Sequence, residues 1–161
     1  MFSAALLAQA EKLLADARAK GLRIATAESC TGGLIAGLLT EIPGSSDVFE
    51  RGFVTYSNES KEESLSVPHD QIVAHGAVSA DVARAMVLGA LKRAAADIAV
   101  SVTGIAGPGG GTAQKPVGLV YLAAARGEQI IARECRFGDI GRGEVRLKSV
   151  ETALEMLAAL L

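Results

Sequence analysis

The chain has 161 residues, half of them hydrophobic, a formal net charge of −2 and only 4% aromatic residues. That composition allows one domain, residues 1–161, with an ample aliphatic core. It offers no basic run for a nucleic-acid backbone, no Trp for a stacking platform and no apolar stretch long enough to span a bilayer.

Met1-Phe2-Ser3 opens an amphipathic helix and lacks the basic start and cleavage site of a signal peptide. Phe2, Leu6, Leu7, Ala10, Leu13, Leu14 and Ala17 recur at helical spacing, and Gly21 ends the helix. Leu22–Thr26 reads as a short strand. The small-residue turn Ala27-Glu28-Ser29-Cys30-Thr31-Gly32-Gly33 follows, and then a helix with Leu34, Ile35, Leu38 and Leu39 on one face, stopped by Pro43-Gly44. Gly52–Tyr56 reads as a strand and Asn58–Leu65 as a short helix, with a break at Pro68. Ser79, with Asp81 behind it, is an N-cap for a helix using Val82, Met86, Val87, Ala90 and Leu91.

Asp97–Val102 is a buried-type strand, and Thr103 to Lys115 is a Gly-rich loop. Val117–Ala124 and Gln129–Phe137 flank Arg126-Gly127 as a hairpin. The last helix turns Val150, Leu154, Leu157 and Leu161 inward. Helices alternating with strands, then a hairpin, predict a three-layer α/β/α sandwich. Its sheet is mixed, mostly parallel with one strand reversed. The glycine loop then falls at the C-terminal edge of the sheet, where α/β proteins bind ligands. No internal repeat is present. Cys30 and Cys135 make neither a CxxC pair nor a disulfide framework, which suits a reducing cytoplasm.

Ser29 is the first candidate nucleophile. A helix start carries free N–H donors and partial positive charge, which suit an anion or a developing oxyanion. Serine before a helix is also a common N-cap, and residue type alone does not separate the two. A serine nucleophile needs a base. His69 and His75 lie in a polar segment with no partner pattern, so Lys61 is the better base. Ser60 with Glu63 has the form of a capping box, which would put Lys61 in a first helical turn, where the dipole lowers its pKa. The neighbouring Glu59, Glu62 and Glu63 act in the opposite sense. Tyr56 could orient the lysine or protonate a leaving group. Cys30 is the rival nucleophile but reads as a small buried hydrophobe. Arg142 and Arg146 share one face of the last helix and suit a phosphate or carboxylate. A non-catalytic nucleotide-binding or regulatory module would keep the glycine loop and the arginines without needing a Ser/Lys contact.

Ala27-Glu28-Ser29-Cys30-Thr31-Gly32-Gly33, Tyr56-Ser57-Asn58 with Lys61, Gly76-Ala77-Val78-Ser79, and Thr103-Gly104-Ile105-Ala106-Gly107-Pro108 with Lys115-Pro116-Val117-Gly118 occur in that order. Together they resemble the CinA C-terminal domain family over nearly the whole chain. The resemblance implies an amidohydrolase, since stand-alone members include deamidases of nicotinamide mononucleotide (NMN) in pyridine nucleotide salvage. It implies no metal and no cofactor, and a Ser/Lys pair with a nearby Tyr, here Ser29, Lys61 and Tyr56. Backbone N–H groups near Thr31, Gly32 and Gly33, or in the loop of Thr103, Gly104 and Gly107, would hold the oxyanion. That loop and Arg142 or Arg146 would grip the phosphate. The expected partner is a small nucleotide; separately, the many Ala- and Leu-faced helices suggest a homo-oligomer, taken as a dimer. Two departures stand out. Longer members carry an N-terminal domain similar to molybdopterin-binding proteins, which this sequence does not contain. The family's Gly-Asp-Arg becomes Gly138-Asp139-Ile140-Gly141-Arg142, so either the loop bulges by two residues or the arginine contact is altered.

Overall fold

A computed structural model describes residues 1–161. The helices are α1 (Ala4–Ala19), α2 (Leu34–Glu41), α3 (Asn58–Leu65), α4 (His69–His75), α5 (Ala80–Arg93) and α6 (Arg142–Ala159), and the strands are β1 (Ile24–Glu28), β2 (Phe49–Val54), β3 (Ile98–Gly104), β4 (Leu119–Arg126) and β5 (Gln129–Arg136). The five strands form one sheet in the order β2-β1-β3-β4-β5. β1 pairs in parallel with β2 and with β3, while β4 runs antiparallel to both β3 and β5. Hence β4 alone is reversed, and the layered α/β/α fold with a mixed, mostly parallel sheet is the one expected. No helix is long and apolar enough to cross a membrane.

Strand alternation sorts the core into two layers. Ile24, Ile98, Val100, Val102, Val120 and Leu122 face α1, α2 and α6. The residues between them, Ala25, Ala27, Ala99, Ala123 and Ala125, face α5 and the short helices α3 and α4. Alanine on that side lets α5 sit close to the sheet. Gly89 of α5 continues the close approach, because a Cβ there would run into the carbonyl oxygen of Leu65 at the end of α3. The backbone of α3, which carries Lys61, is thereby pressed onto α5.

Local signals account for most element ends. The Ser79 hydroxyl accepts from Val82 N–H at 3.2 Å, and Asp81 and the pair Lys92/Arg93 complement the two ends of α5. α3 differs from its sequence reading. Its capping box is Ser57 with Ser60, not Ser60 with Glu63. Lys61 therefore lies at the fourth helical position, beyond the strongest field of the helix end. β2 starts at Phe49 rather than Gly52, and α4 follows Pro68 where no helix was expected.

Candidate active site

A cavity of about 290 Å³ opens at the C-terminal ends of β1 and β3. Ser29 and Cys30 after β1, Thr103 and Gly104 at the end of β3, and Gly107 in the glycine loop form one wall. Tyr56, Asn58 and Lys61 face them, and Arg142 borders the opening. Lys61 and Arg142 are the only charged side chains in the lining, and no carboxylate joins them. The cavity therefore favours an anionic guest.

Lys61 is 1% exposed, and Ser29 is 9% exposed. The Nζ of Lys61 lies 3.1 Å from Ser29 Oγ, 2.7 Å from the Thr55 carbonyl oxygen and 3.5 Å from that of Ser57. Lys61 belongs to none of the ion pairs in the molecule. Burial without a counter-ion pushes its pKa below the ordinary lysine value, and this desolvation, rather than the helix dipole, is the leading cause. A neutral amine has two N–H bonds and one lone pair. In that form, with its N–H bonds turned to the two carbonyls, Lys61 would have its lone pair free to accept from the Ser29 hydroxyl. The arrangement suits a lysine that removes a proton from serine.

Cys30 also lines the cavity, but burial pushes its thiol up to about 12. At neutral pH only about one molecule in 10⁵ would carry the thiolate, the form that attacks. The oxygen nucleophile is therefore the better placed of the two adjacent groups.

The start of α2 is not open to substrate. The Glu28 carboxylate, fully buried, accepts from the Gly33 N–H at 3.1 Å, the Ile35 N–H at 3.0 Å and the Ala36 N–H at 2.9 Å. It also accepts from the Thr31 hydroxyl at 2.7 Å. Gly32 N–H donates to the Ser29 carbonyl at 3.0 Å. Thr31, Gly32 and Gly33 thus lie behind the cavity wall with the Thr31 hydroxyl and both glycine N–H groups engaged; the N–H groups of Cys30 and Thr31 meet no acceptor, and of these two residues Cys30 lines the cavity beside Ser29.

The two arginines part company. Arg142 donates from Nη1 to the Gly107 carbonyl and from Nη2 to the Tyr56 hydroxyl, each at 2.9 Å. It reaches the cavity despite the two extra residues before it. Arg146 does not line the cavity; it donates to the Cys30 and Thr31 carbonyls at 3.1 and 3.0 Å. Tyr56, 61% exposed, has its hydroxyl on Arg142 and no hydrogen bond to Ser29 or Lys61. Thr103 donates its hydroxyl to the Ala77 carbonyl at 2.9 Å, tying β3 to the segment before α5. His69 pairs with Glu62 and His75 lies near Asp81, both outside the cavity. No three His, Cys, Asp or Glu side chains converge as a metal-ligand set. Sequence reasoning missed Glu28 as the cap of α2. The signal was an acid just before a Gly-Gly helix entry, but its reach across the turn was not visible.

The model of the family described as "CinA C-terminal domain" matches residues 7–161. The nicotinamide-nucleotide amidohydrolase PncC of Escherichia coli (strain K12) is 49% identical over 159 residues, 98% of this chain and 95% of that protein. A CinA-like protein of Geobacter sp. (strain M21) is 54% identical over 145 residues, 89% of this chain but 34% of the longer relative. Among solved structures, competence/damage inducible protein CihA from Agrobacterium tumefaciens superposes with a TM-score of 0.98 at 53% identity, covering 99% of this chain and 98% of that one. A CinA superfamily protein from Escherichia coli gives 0.93 at 32% identity, covering 100% and 94%.

Proposed function

The chain belongs to the CinA C-terminal domain family, and we propose that it is a nicotinamide-nucleotide amidohydrolase that converts NMN and water to nicotinate mononucleotide and ammonia. The observation that carries the mechanism is the 3.1 Å contact between Ser29 Oγ and the buried, unpaired Lys61 Nζ.

Neutral Lys61 takes the Ser29 proton as Oγ adds to the carboxamide carbon. The resulting oxyanion is held by the free N–H of Cys30, and such a donor typically contributes about 3 kcal/mol to the transition state. The C–N bond then breaks, and the protonated Lys61 returns its proton to the departing nitrogen, which leaves as ammonia. Water, deprotonated by the same lysine, attacks the Ser29 ester and releases the carboxylate. The phosphate of the nucleotide meets Arg142 and the loop of Thr103, Gly104 and Gly107. When Arg142 turns to the phosphate, the Tyr56 hydroxyl is freed to assist the leaving group. The reading needs no metal or cofactor. It takes the protein as a cytoplasmic homodimer, for which light scattering of the purified protein is the check.

The test is ammonia release from NMN by wild type, Ser29→Ala and Lys61→Ala. Wild type is expected to release ammonia, and both variants to lose nearly all of it. A wild type inert toward NMN would remove the proposed substrate.

A further inference from the structure

We propose that Arg146 and Glu28 are positioning residues that clamp the Ser29-bearing turn from two sides; the proposal rests on Ser29 being the nucleophile. Arg142 and Arg146 stand about one turn apart on α6, roughly 6 Å along its axis. Only Arg142 faces the cavity. Arg146 directs Nε to the Cys30 carbonyl and Nη2 to the Thr31 carbonyl. In a trans peptide the C=O and the following N–H point in opposite directions. Holding the Cys30 carbonyl therefore fixes where the Thr31 N–H points. Gly32 N–H on the Ser29 carbonyl, at 3.0 Å, does the same for the Cys30 N–H. The two peptides that follow the nucleophile are thus locked in orientation, and the donor beside Ser29 is aimed by its surroundings rather than by substrate.

Glu28 holds the other side. It is the last residue of β1, and its four acceptor contacts go to Thr31 and Gly33 in the turn and to Ile35 and Ala36 at the start of α2. The end of β1 is thereby tied to the first turn of α2, with only Ser29 to Gly33 between. Neither Glu28 nor Arg146 enters an ion pair. Both charges are committed to the backbone and hydroxyl of one seven-residue stretch and its helix. Gly32 completes the fit: its φ is +58°, and a Cβ there would lie 3.4 Å from Arg146 Nη2.

The experiment measures kcat and KM for NMN, with thermal melts, for Arg146→Ala with and without added guanidinium ion, for Arg146→Lys, for Glu28→Gln and for Thr31→Val. Thr31→Val removes one contact to Glu28 while keeping side-chain shape, so it reports on the clamp if Glu28→Gln fails to fold. Misplacement of a reacting group by ~1 Å costs on the order of 100-fold. Arg146→Ala is therefore expected to lower kcat about 10- to 100-fold with KM within about twofold. Guanidinium should restore much of the loss, Arg146→Lys should fall between, and Thr31→Val should lower kcat in the same sense. A rise in KM with kcat kept would make Arg146 a phosphate contact and overturn the proposal. Lower melting temperatures with kcat per folded molecule unchanged would reduce the clamp to a fold-stabilising role and overturn it too. Ser29→Ala, measured alongside, separates the two readings: full activity there removes the nucleophile itself, whatever Arg146 does.

Discussion

Lys61→Met keeps most of the buried stem and removes the amine. A positioned general base contributes 10²- to 10⁴-fold, so the variant should lose about 2.7 to 5.4 kcal/mol of transition-state stabilisation. Stability should move the other way. The variant leaves the carbonyls of Thr55 and Ser57 without their Nζ donor, a cost of about 1–3 kcal/mol. It also removes an amine that folding strips of its hydration without giving it a counter-ion, a cost of several kcal/mol whether the proton is kept or given up. The net is a gain of order 1 kcal/mol at neutral pH, or about 2–4 °C in Tm for a chain of this size. The sign follows from proton counting. Unfolded Lys61 titrates near the ordinary 10.5, while the folded residue releases its proton at lower pH. Between those two pKa values the unfolded state binds more protons at this residue, so the contribution of Lys61 to wild-type stability rises with pH across that window. Below the window the folded state carries the full cost, and in Lys61→Met this rising contribution is gone, leaving the opposite slope of Cys30, whose thiol burial holds up to about 12. Ammonia release and melts from neutral to alkaline pH measure both effects. Lys61→Arg is the control, because a guanidinium stays charged and cannot take a proton. Wild-type turnover by Lys61→Arg, or activity of Lys61→Met within about threefold of wild type, would refute the role of base.

Cys30→Ala should keep kcat within about threefold, since the protonated thiol takes no part; a loss comparable to Ser29→Ala would move the nucleophile to sulfur. Arg142→Ala should raise KM for NMN about 10- to 100-fold, the worth of charge-assisted hydrogen bonds of ~1.5–3 kcal/mol, with a smaller change in kcat. Gly89→Ala puts a Cβ against the Leu65 carbonyl and should destabilise by about 1–3 kcal/mol, seen as a lower Tm. Because α3 must move to make room, kcat should fall as well, though Gly89 lies outside the cavity.

Long periodic elements were legible in the sequence. Asn58–Leu65 has the bounds expected for α3, and Ser79 begins α5 as its hydroxyl and following acid predict. β2 was read three residues late because Phe49-Glu50-Arg51 carries edge-strand polarity, its pairing supplied by β1 alone. α4 is a single short stretch behind Pro68, too brief for a periodic signal. The capping box slipped by three because Ser57 and Ser60 are both competent caps, and only the chain's exit from β2 chooses between them.

The candidate site was legible as residue types but not as contacts. Spacing put Arg142 and Arg146 on one helix face, yet a face spans two neighbours: one arginine meets Gly107 and the other meets Cys30 and Thr31. The helix start beside Ser29 looked free because sequence does not show that Glu28 folds back to fill it. Sequence sets the helix dipole against three neighbouring glutamates and leaves the net shift of Lys61 open, whereas its depth of burial lowers the pKa.

The most direct test of the account is rapid-quench mass spectrometry of the enzyme during NMN turnover. The expected result is an acyl adduct on Ser29, formed as ammonia is released and absent from Ser29→Ala, which should also be inactive. An adduct on Cys30, or a Ser29→Ala protein that releases ammonia at the wild-type rate, would contradict it.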